Sequence, residues 1–531
     1  MHVLSQAFFK ALTLAVLVGF LQGCATLPPP VERSHDAATP ASQSEFLGQL
    51  ASSCGATQDS PATNSSFRPL PLSAFSMDAR LSLARKAQRS LDVQYYLLQN
   101  DVTGHALLRA VRDAAVRGVR VRVLVDDLYT AENSQLLVDL AAYPNVQIRL
   151  FNPFASGRST FLTRWMFGLH EFSRINHRMH NKMFIADGAF AIAGGRNIAD
   201  EYFFSSKGAN FVDFDLLVCG AAVPQMQRVF DEYWNSDRIY PLHVLERSAE
   251  PSEALQSAFE TLTQDAKDAF PAPRPDAPDI LGFLPLSADI NGASLKLIRG
   301  TVDIFADDPE KVTGKSEAGG DPTTVTSRVG KAMADAKREV VVGSPYFIPG
   351  KLGLDGMSVA HERGVKIRVM TNSLASNDEP FASAAYAKYR VPMLKLGVEL
   401  YETDTSQLKN DSFIGGALRG TIGRSHSKLI IIDRETTFVG SMNLDFRSSR
   451  LNTEFGMLVH SRELAEMVLA LAERVRTVGS FRLRLSQPGD KLEWVGTVDG
   501  VEKVYDSDPG VSFGTRLQLL LLFPFVSESL L

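Results

Sequence analysis

The sequence predicts an α/β protein built by duplication, with two similar domains in tandem and helices covering a sheet in each. Three observations carry this. HNKMFIADGAFAIAGGRN (His180 to Asn197) and HSKLIIIDRETTFVGSMN (His426 to Asn443) place His, Lys, Asp, Gly and Asn at the same spacings, 246 positions apart. GVRVRVLVDD from Gly118 and GVKIRVMTNS from Gly364 repeat at that same offset. So long a period marks a duplicated domain rather than a solenoid repeat. Finally, strand-like runs alternate with helical ones, and strands that are almost continuously apolar belong to sheets covered on both faces.

The chain has 531 residues, 45% of them hydrophobic, and a net charge of −5. That is enough for a large core. It argues against a broadly basic nucleic-acid surface, though not against a local basic cleft. A mean hydropathy of −0.04 excludes a polytopic membrane protein.

In chain order, residues 1–23 read as an export signal. Lys10 precedes ALTLAVLVGFL, an apolar run too short to span a bilayer. LQGC resembles a bacterial lipoprotein signal, with Cys24 as the lipidated N-terminus after cleavage. The implied location is the periplasmic side of the cell envelope. The lack of Asp at position 25 favours the outer membrane. Residues 24–75, rich in Pro, Ser, Ala and Thr, are expected to be a flexible tether, with folded sequence beginning near Leu81.

The first domain is expected over 76–245. LARKAQRS ends a helix, SLDVQYYLL is a buried strand, GHALLRAVRDAAVRGV an amphipathic helix, and VRVLVDDLY and NVQIRLFNPF further strands. Residues 246–290 form a connector with one helix over ALQSAFETLTQDAKDAF. The second domain, 291–475, opens with a strand around SLKLIRG. VGKAMADAKR and MSVAHERGV are its helices, and REVVVGSPYFI, KIRVMTNSLAS and GVELYE its strands. The extension 476–531 holds strands at FRLRL and KLEWVG. It ends in RLQLLLLFPFVSESLL, which is too short to cross a bilayer. That tail would pack on the body or lie at the lipid interface. Cys54 and Cys219 fit no metal or redox spacing. In an exported chain they could pair as a disulfide, which the sequence leaves open.

The repeated ladder carries the chemistry. In HxK both side chains fall on one face of a strand. Gly194 and Gly440 close the next apolar run, where a glycine lets backbone approach a ligand. Asn197 and Asn443 then supply amide donors. Two facing halves offer six groups: His180, Lys182, Asn197, His426, Lys428 and Asn443. Cations and donors suit the anionic oxygens of a phosphodiester, and imidazoles can move the proton that a departing oxygen needs.

These twin HxKxxxxDxxxxxxGxxN signatures resemble those of the phospholipase D superfamily. SLDVQYYLLQND, RINHRMHNKMFIADG, GGRNIADEYF, SPYFIPG, GSMNLDFRSSRLNTEFGMLV and the terminal PFVSESLL resemble its bacterial cardiolipin synthase branch, especially exported lipoprotein-like members. The likeness spans roughly residues 80 to 531. It implies two α/β domains with mixed central sheets, related by a pseudo-two-fold axis with the active site between them. It also implies His180 as nucleophile and His426 as general acid/base, without metal or cofactor. Near symmetry of the ladders leaves that order unverified.

Lys182 and Lys428 would clamp phosphate oxygens beside the asparagines. Aligning LLV at 216–218 with MLV at 457–459 sets Asp213 opposite Glu454, each placed to orient its own ladder's histidine. Asp215 then faces Gly456. Asp187 and Asp433, immediately after a strand, suit holding a turn. Arg174, His177 and Arg178 crowd the approach to His180 as headgroup contacts or polar rim. Arg447 and Ser448 could support the second ladder similarly.

The anchor, the negative charge and the apolar FNPFASGRSTFLTRWMFGLHEF at 151–172 favour lipid over nucleic acid. The expected reaction is phosphatidyl transfer forming cardiolipin from phosphatidylglycerol and a second phospholipid, with phosphatidylethanolamine a candidate. Hydrolysis to phosphatidic acid, nuclease action and non-catalytic lipid binding are the alternatives.

Overall fold

The computed structural model describes residues 27–29, 34–54, 64–292, 295–314, 321–403, 422–498, 501–512, 514 and 516–517. The leader, Cys24 and the apolar end of the tail lie outside the described residues.

The first half contributes β1 (Ser65–Leu70), β2 (Ser90–Tyr95), β3 (Arg120–Asp126), β4 (Val146–Phe151), β5 (Met183–Ala186), β6 (Phe190–Gly194), β7 (Ala209–Val212), β8 (Asp215–Gly220) and β9 (Ile239–Pro241). The second contributes β10 (Ile298–Ala306), β11 (Glu339–Gly343), β12 (Lys366–Asn372), β13 (Glu399–Thr403), β14 (Ile422–Ser425), β15 (Leu429–Ile432), β16 (Thr436–Gly440) and β17 (Phe455–His460), followed by β18 (Ser480–Leu485), β19 (Leu492–Val498) and β20 (Val501–Tyr505).

Each half is a mixed sheet. β2, β3 and β4 run parallel, while β5, β6 and β8 add antiparallel neighbours. β11, β12 and β13 repeat the parallel part, and β15, β16 and β17 the antiparallel part. The helix Val102–Val116 links β2 to β3. Its first turn is capped by Asp101, which accepts from the Gly104 amide at 2.8 Å. Gly118 and Gly364 end equivalent helices at φ 95° and 74°, the left-handed conformation that a glycine C-cap supplies without strain. This is why the repeated strands begin with Gly-Val.

The halves join through β1 and β10. β1 pairs antiparallel with β8 on one side and with β10 on the other, and β10 continues onto β17. Among the described residues the result is one sheet of 18 strands. Phe67, Leu216, Ile298, Phe455 and Met457 pack in a single apolar cluster at this join, so the core runs unbroken from half to half.

The expected tether is therefore corrected over most of its length. β1 lies in the middle of the sheet, and residues 34–54 dock on the first half. The Asp36 amide donates to Asn235 and the Ala38 amide to Asp231, at 3.1 and 2.8 Å. Leu47 is buried, and Cys54 forms a disulfide with Cys219 of β8. Polar composition misleads here because the body satisfies this segment's backbone groups. Folded sequence starts well before Leu81: the helix Ser73–Lys86 precedes β2. The connector helix stops at Leu262 and tightens into a 3-10 turn over Gln264–Asp268.

Candidate active site

His180 and Lys182 stand just before β5, and His426 and Lys428 just before β15, rather than within a strand. The reason is that the chain changes partners there. Met179 bridges Thr453 of the other half, and the His180 amide donates to the Thr453 carbonyl at 2.9 Å. In mirror fashion β14 pairs with β7 across the halves, and the His426 amide donates to the Val212 carbonyl at 2.8 Å.

That register brings each histidine against a carboxylate from the opposite half. Thr453 precedes Glu454, whose Oε2 lies 2.9 Å from His180 Nδ1. Val212 precedes Asp213, whose Oδ2 lies 2.6 Å from His426 Nδ1. The two acids are thus crossed with respect to the sequence reading, which gave each to its own ladder. An N–H···carboxylate bond at Nδ1 leaves Nε2 of each ring without a carboxylate partner, with Lys428 Nζ 3.1 Å from that of His426.

The lysines repeat one local loop. Lys182 Nζ donates to the His180 carbonyl and Lys428 Nζ to the His426 carbonyl, each at 2.6 Å. All four side chains are buried. Lys428 depresses His180, and Lys182 senses Lys428, Glu454 and Asp213, so the ladders share one electrostatic site. Burial, with Lys182 and against Glu454, pushes His180 down to about 4. Burial and then Lys428 push His426 down as well, against the pull of Asp213. Burial likewise lowers Lys182 to about 7 and Lys428 to about 8. Burial favours protonation of Glu454, but His180, Lys182 and Ser441 outweigh it and hold the carboxyl at about 2. Neutral imidazoles, with an ionised Glu454 beside His180, are the resting arrangement.

Asn197 and Asn443 are both buried. Their Oδ1 atoms have no hydrogen-bond partner among the described residues, and Asn197 hydrogen-bonds Tyr202. Ser448 accepts from the Asn443 amide at 3.1 Å and so positions it.

Gly194 and Gly440 serve strand packing rather than a ligand. An added Cβ would lie 2.4 Å from the Phe214 carbonyl oxygen in one case and 2.4 Å from that of Phe455 in the other. Asp187 and Asp433 sit at φ 51° and 54°. Asp187 accepts from the amides of Gln88, Arg89 and Ser90, and Asp433 from those of Lys337, Arg338 and Glu339. Both tie the turn after the ladder strand to the start of its neighbour.

The rim residues divide. Arg178 is buried and paired with Asp126 at 3.1 Å, so it is removed from headgroup contact. Arg174 is held by Glu171 and Asn152 at 2.6 Å each, and His177 bonds the Ser173 carbonyl. Arg447 donates to Asn176 across the halves at 3.0 and 2.9 Å. Its charge also reaches Tyr96 and Tyr129 beside the site.

Two aromatic residues escaped the sequence reading although both lie in quoted motifs. Tyr96 meets the His180 ring edge-on at 5.0 Å, and Lys182 Nζ sits 5.3 Å from its centroid. Tyr202 meets the His426 ring edge-on at 5.1 Å with its hydroxyl 3.5 Å from Nε2. Ser441, in GSMN, donates to Glu454.

A family model described as cardiolipin synthase, PLD-like domain, matches residues 81–234 and 329–476. Cardiolipin synthase C of Escherichia coli (strain K12) is 34% identical over 455 residues, covering 85% of this chain and 93% of that relative. This chain belongs to the phospholipase D-like cardiolipin synthase family. A cardiolipin synthase of Geobacillus kaustophilus (strain HTA426) is 26% identical, covering 77% of this chain and 67% of its own length. Among solved structures, phosphatidylserine synthase from Haemophilus influenzae Rd KW20 shares the fold. Its TM-score is 0.57 at 14% identity, with 87% of this chain and 94% of that one covered. Within this cardiolipin synthase family member, the two matched segments are the two halves that exchange their acids.

Proposed function

We propose that this chain is a phosphatidyltransferase that makes cardiolipin from phosphatidylglycerol and a second phospholipid through a phosphohistidine. The reciprocal pairing of His180 with Glu454 and His426 with Asp213 carries the reading. It gives two oriented, neutral imidazoles in one buried site shared by two lysines. His180 Nε2 attacks phosphorus with its lone pair while the P–O bond to the donor's headgroup alcohol breaks. Lys182, Lys428 and the two asparagines take the charge on the nonbridging oxygens. An arriving phosphodiester anion raises the affinity of His426 for a proton, which passes to the leaving oxygen. The terminal hydroxyl of phosphatidylglycerol then gives its proton to His426 and attacks phosphorus. The P–N bond breaks and His180 returns neutral.

The substrate class is supported by the family and by the chain's net charge of −5. Anchoring through Cys24 on the periplasmic side of the envelope, at the outer membrane, fits with the Cys54–Cys219 disulfide, since such bonds persist in oxidising compartments. The full chain incubated with labelled phosphatidylglycerol, with and without phosphatidylethanolamine, should yield cardiolipin. Phosphatidic acid alone in every condition would instead make it a hydrolase. Cleavage of single-stranded DNA without lipid turnover would make it a nuclease, and lipid binding with neither reaction a non-catalytic lipoprotein.

A further inference from the structure

We infer that the helix Phe161–Gly168 and the turn after it form the surface on which this protein sits on a phospholipid bilayer, and that an aromatic path leads from there to His180. The inference rests on the phospholipid reading above and adds where the lipid approaches.

The segment is built inside out. Leu162, Met166 and Leu169 are 67%, 59% and 63% exposed, with Phe161 and Phe172 at 43% each on the shoulders. Spacings of four and three put the first three on one helical face. The polar side is turned inward. Arg164 is fully buried on the carbonyl and carboxylate of Asp127, and Arg158 pairs with the same carboxylate. Arg174 is occupied by Glu171. The cations that would resist leaving water are thus already withdrawn from the apolar face.

This face is continuous with the site. Phe161 stacks on Tyr129 with centroids 6.0 Å apart, Tyr129 meets Tyr96 at 5.5 Å, and Tyr96 meets His180 at 5.0 Å. From the second half, Glu379 acts on Tyr129 and is followed by Phe381, itself 45% exposed. An amphipathic helix lying in the interface buries its apolar face about 5–10 Å into the headgroup–acyl boundary. Here that would bring headgroup phosphates to the start of the aromatic path while acyl chains stay in the bilayer.

The chain has three tryptophans, and only one is near this surface. Trp165 is half-buried beneath it, against Phe154, Phe161 and Phe172, whereas Trp234 and Trp494 are buried in the body. Neither the leader nor the C-terminal tail carries one. Vesicles of phosphatidylglycerol and phosphatidylethanolamine with brominated acyl chains should quench the full chain, and Trp165→Phe should lose that quenching. The triple variant Leu162→Glu, Met166→Glu, Leu169→Glu should also lose it. In that variant the ratio of turnover on vesicles to turnover on monodisperse short-chain phosphatidylglycerol should fall at least about ten-fold. Equal quenching of parent and Trp165→Phe, or an unchanged ratio in the triple variant, overturns the inference. So does a face that self-associates into dimers and gives no quenching. Quenching needs no turnover, so a chain that is quenched yet converts no lipid keeps this surface and loses the proposed activity.

Discussion

The two halves share a ladder but hold it differently. The first buries arginine: Arg68, Arg80, Arg122, Arg164, Arg178 and Arg196 are all within 1% of complete burial, each near a carboxylate or carbonyl partner. Around its acid, Asp215 is gripped by Arg80 and Arg196 at 3.0 and 2.8 Å, and Arg196 also donates to the Asp213 carbonyl at 2.6 Å. At the 246-residue offset the second half has Met442 for Arg196, and by strand register Gly456 faces Gly440 as Asp215 faces Gly194. There the strand is packed instead by Phe305 and Phe438. The acids differ to match. Asp213 lies so close to Gly195 that a Cβ there would come within 2.3 Å of its carboxylate, whereas the longer Glu454 is reached by the hydroxyl of Ser441. Both histidines have their aromatic neighbours from the first half. Duplication has kept the His–Lys–Asn ladder and let the scaffolding diverge. Because the acids are exchanged, neither half holds a complete histidine pair alone.

The sharpest break of this near-symmetry is the histidines themselves. His180→Asn should lower turnover at least about 10^4-fold with any donor, since no phosphohistidine can form. His426→Asn should be as damaging to turnover, but with a nitrophenyl phosphatidyl ester its first step, read as a burst of nitrophenol, should survive, because that leaving group needs no proton. Mass spectrometry of quenched digests should then find the phosphatidyl group on His180. That group on His426 in the His180→Asn protein would reverse the roles.

The exchanged acids come next. Asp213→Asn and Glu454→Gln should each cost about 10^2 to 10^4 in kcat, as loss of the tautomer-fixing carboxylate does elsewhere. With the nitrophenyl donor, the first step of Asp213→Asn should recover, because Asp213 serves the acid/base His426. Glu454→Gln should not recover. Single-turnover kinetics separates the two, and the opposite pattern would mean each acid serves its own half.

Asp215→Ala tests the scaffold rather than the chemistry. It strands two buried guanidinium groups, and breaking a buried ion network in this way costs about 3–5 kcal/mol. Met442→Ala at the apolar counterpart should cost about 2–5 kcal/mol, toward the lower end where neighbours can relax. Urea unfolding measures both. Equal losses would show that the ionic network is no more critical than the apolar packing that replaces it.

Much of this was legible in the sequence, and what was not shares one cause. The ladder, the covered strands and their order follow from local spacing, and Asp187 and Asp433 could be placed in turns because a carboxylate after a strand is a local signal. The partners of Asp213 and Glu454 could not be assigned, because the bonds to His426 and His180 span 213 and 274 residues. No periodicity encodes such a crossing. β1 was hidden for a related reason: SSFRPL carries Arg68 and Pro69 and looks unlike a central strand until Asp289 neutralises the arginine at 2.7 Å. Arg178 read as a rim cation because Asp126, its partner, lies 52 positions earlier.

The smallest expected effect is also the one that reads the site's charge directly. His180 must be neutral to attack, and burial holds it at about 4, so kcat/KM should fall ten-fold per unit only below that pH. In the proposed reaction Lys182 and Lys428 must be cationic to hold phosphate, and burial brings them to about 7 and about 8, while His426, also pushed down by burial, must carry the leaving oxygen's proton, so activity should decline again as pH rises. Stability should move the other way. A lysine lowered from 10.5 to about 7 binds fewer protons folded than unfolded between those values, so unfolding free energy rises with pH there, by up to about 1.4 kcal/mol per unit. A protein that loses activity from pH 7 to 9 while its urea midpoint climbs is losing protons from the site rather than fold. Lys182→Arg keeps its charge throughout, and its alkaline limb should shift toward the value for Lys428. An alkaline limb that stays in place in that variant would mean Lys182 does not set it, and that the two halves differ in which lysine the phosphate needs.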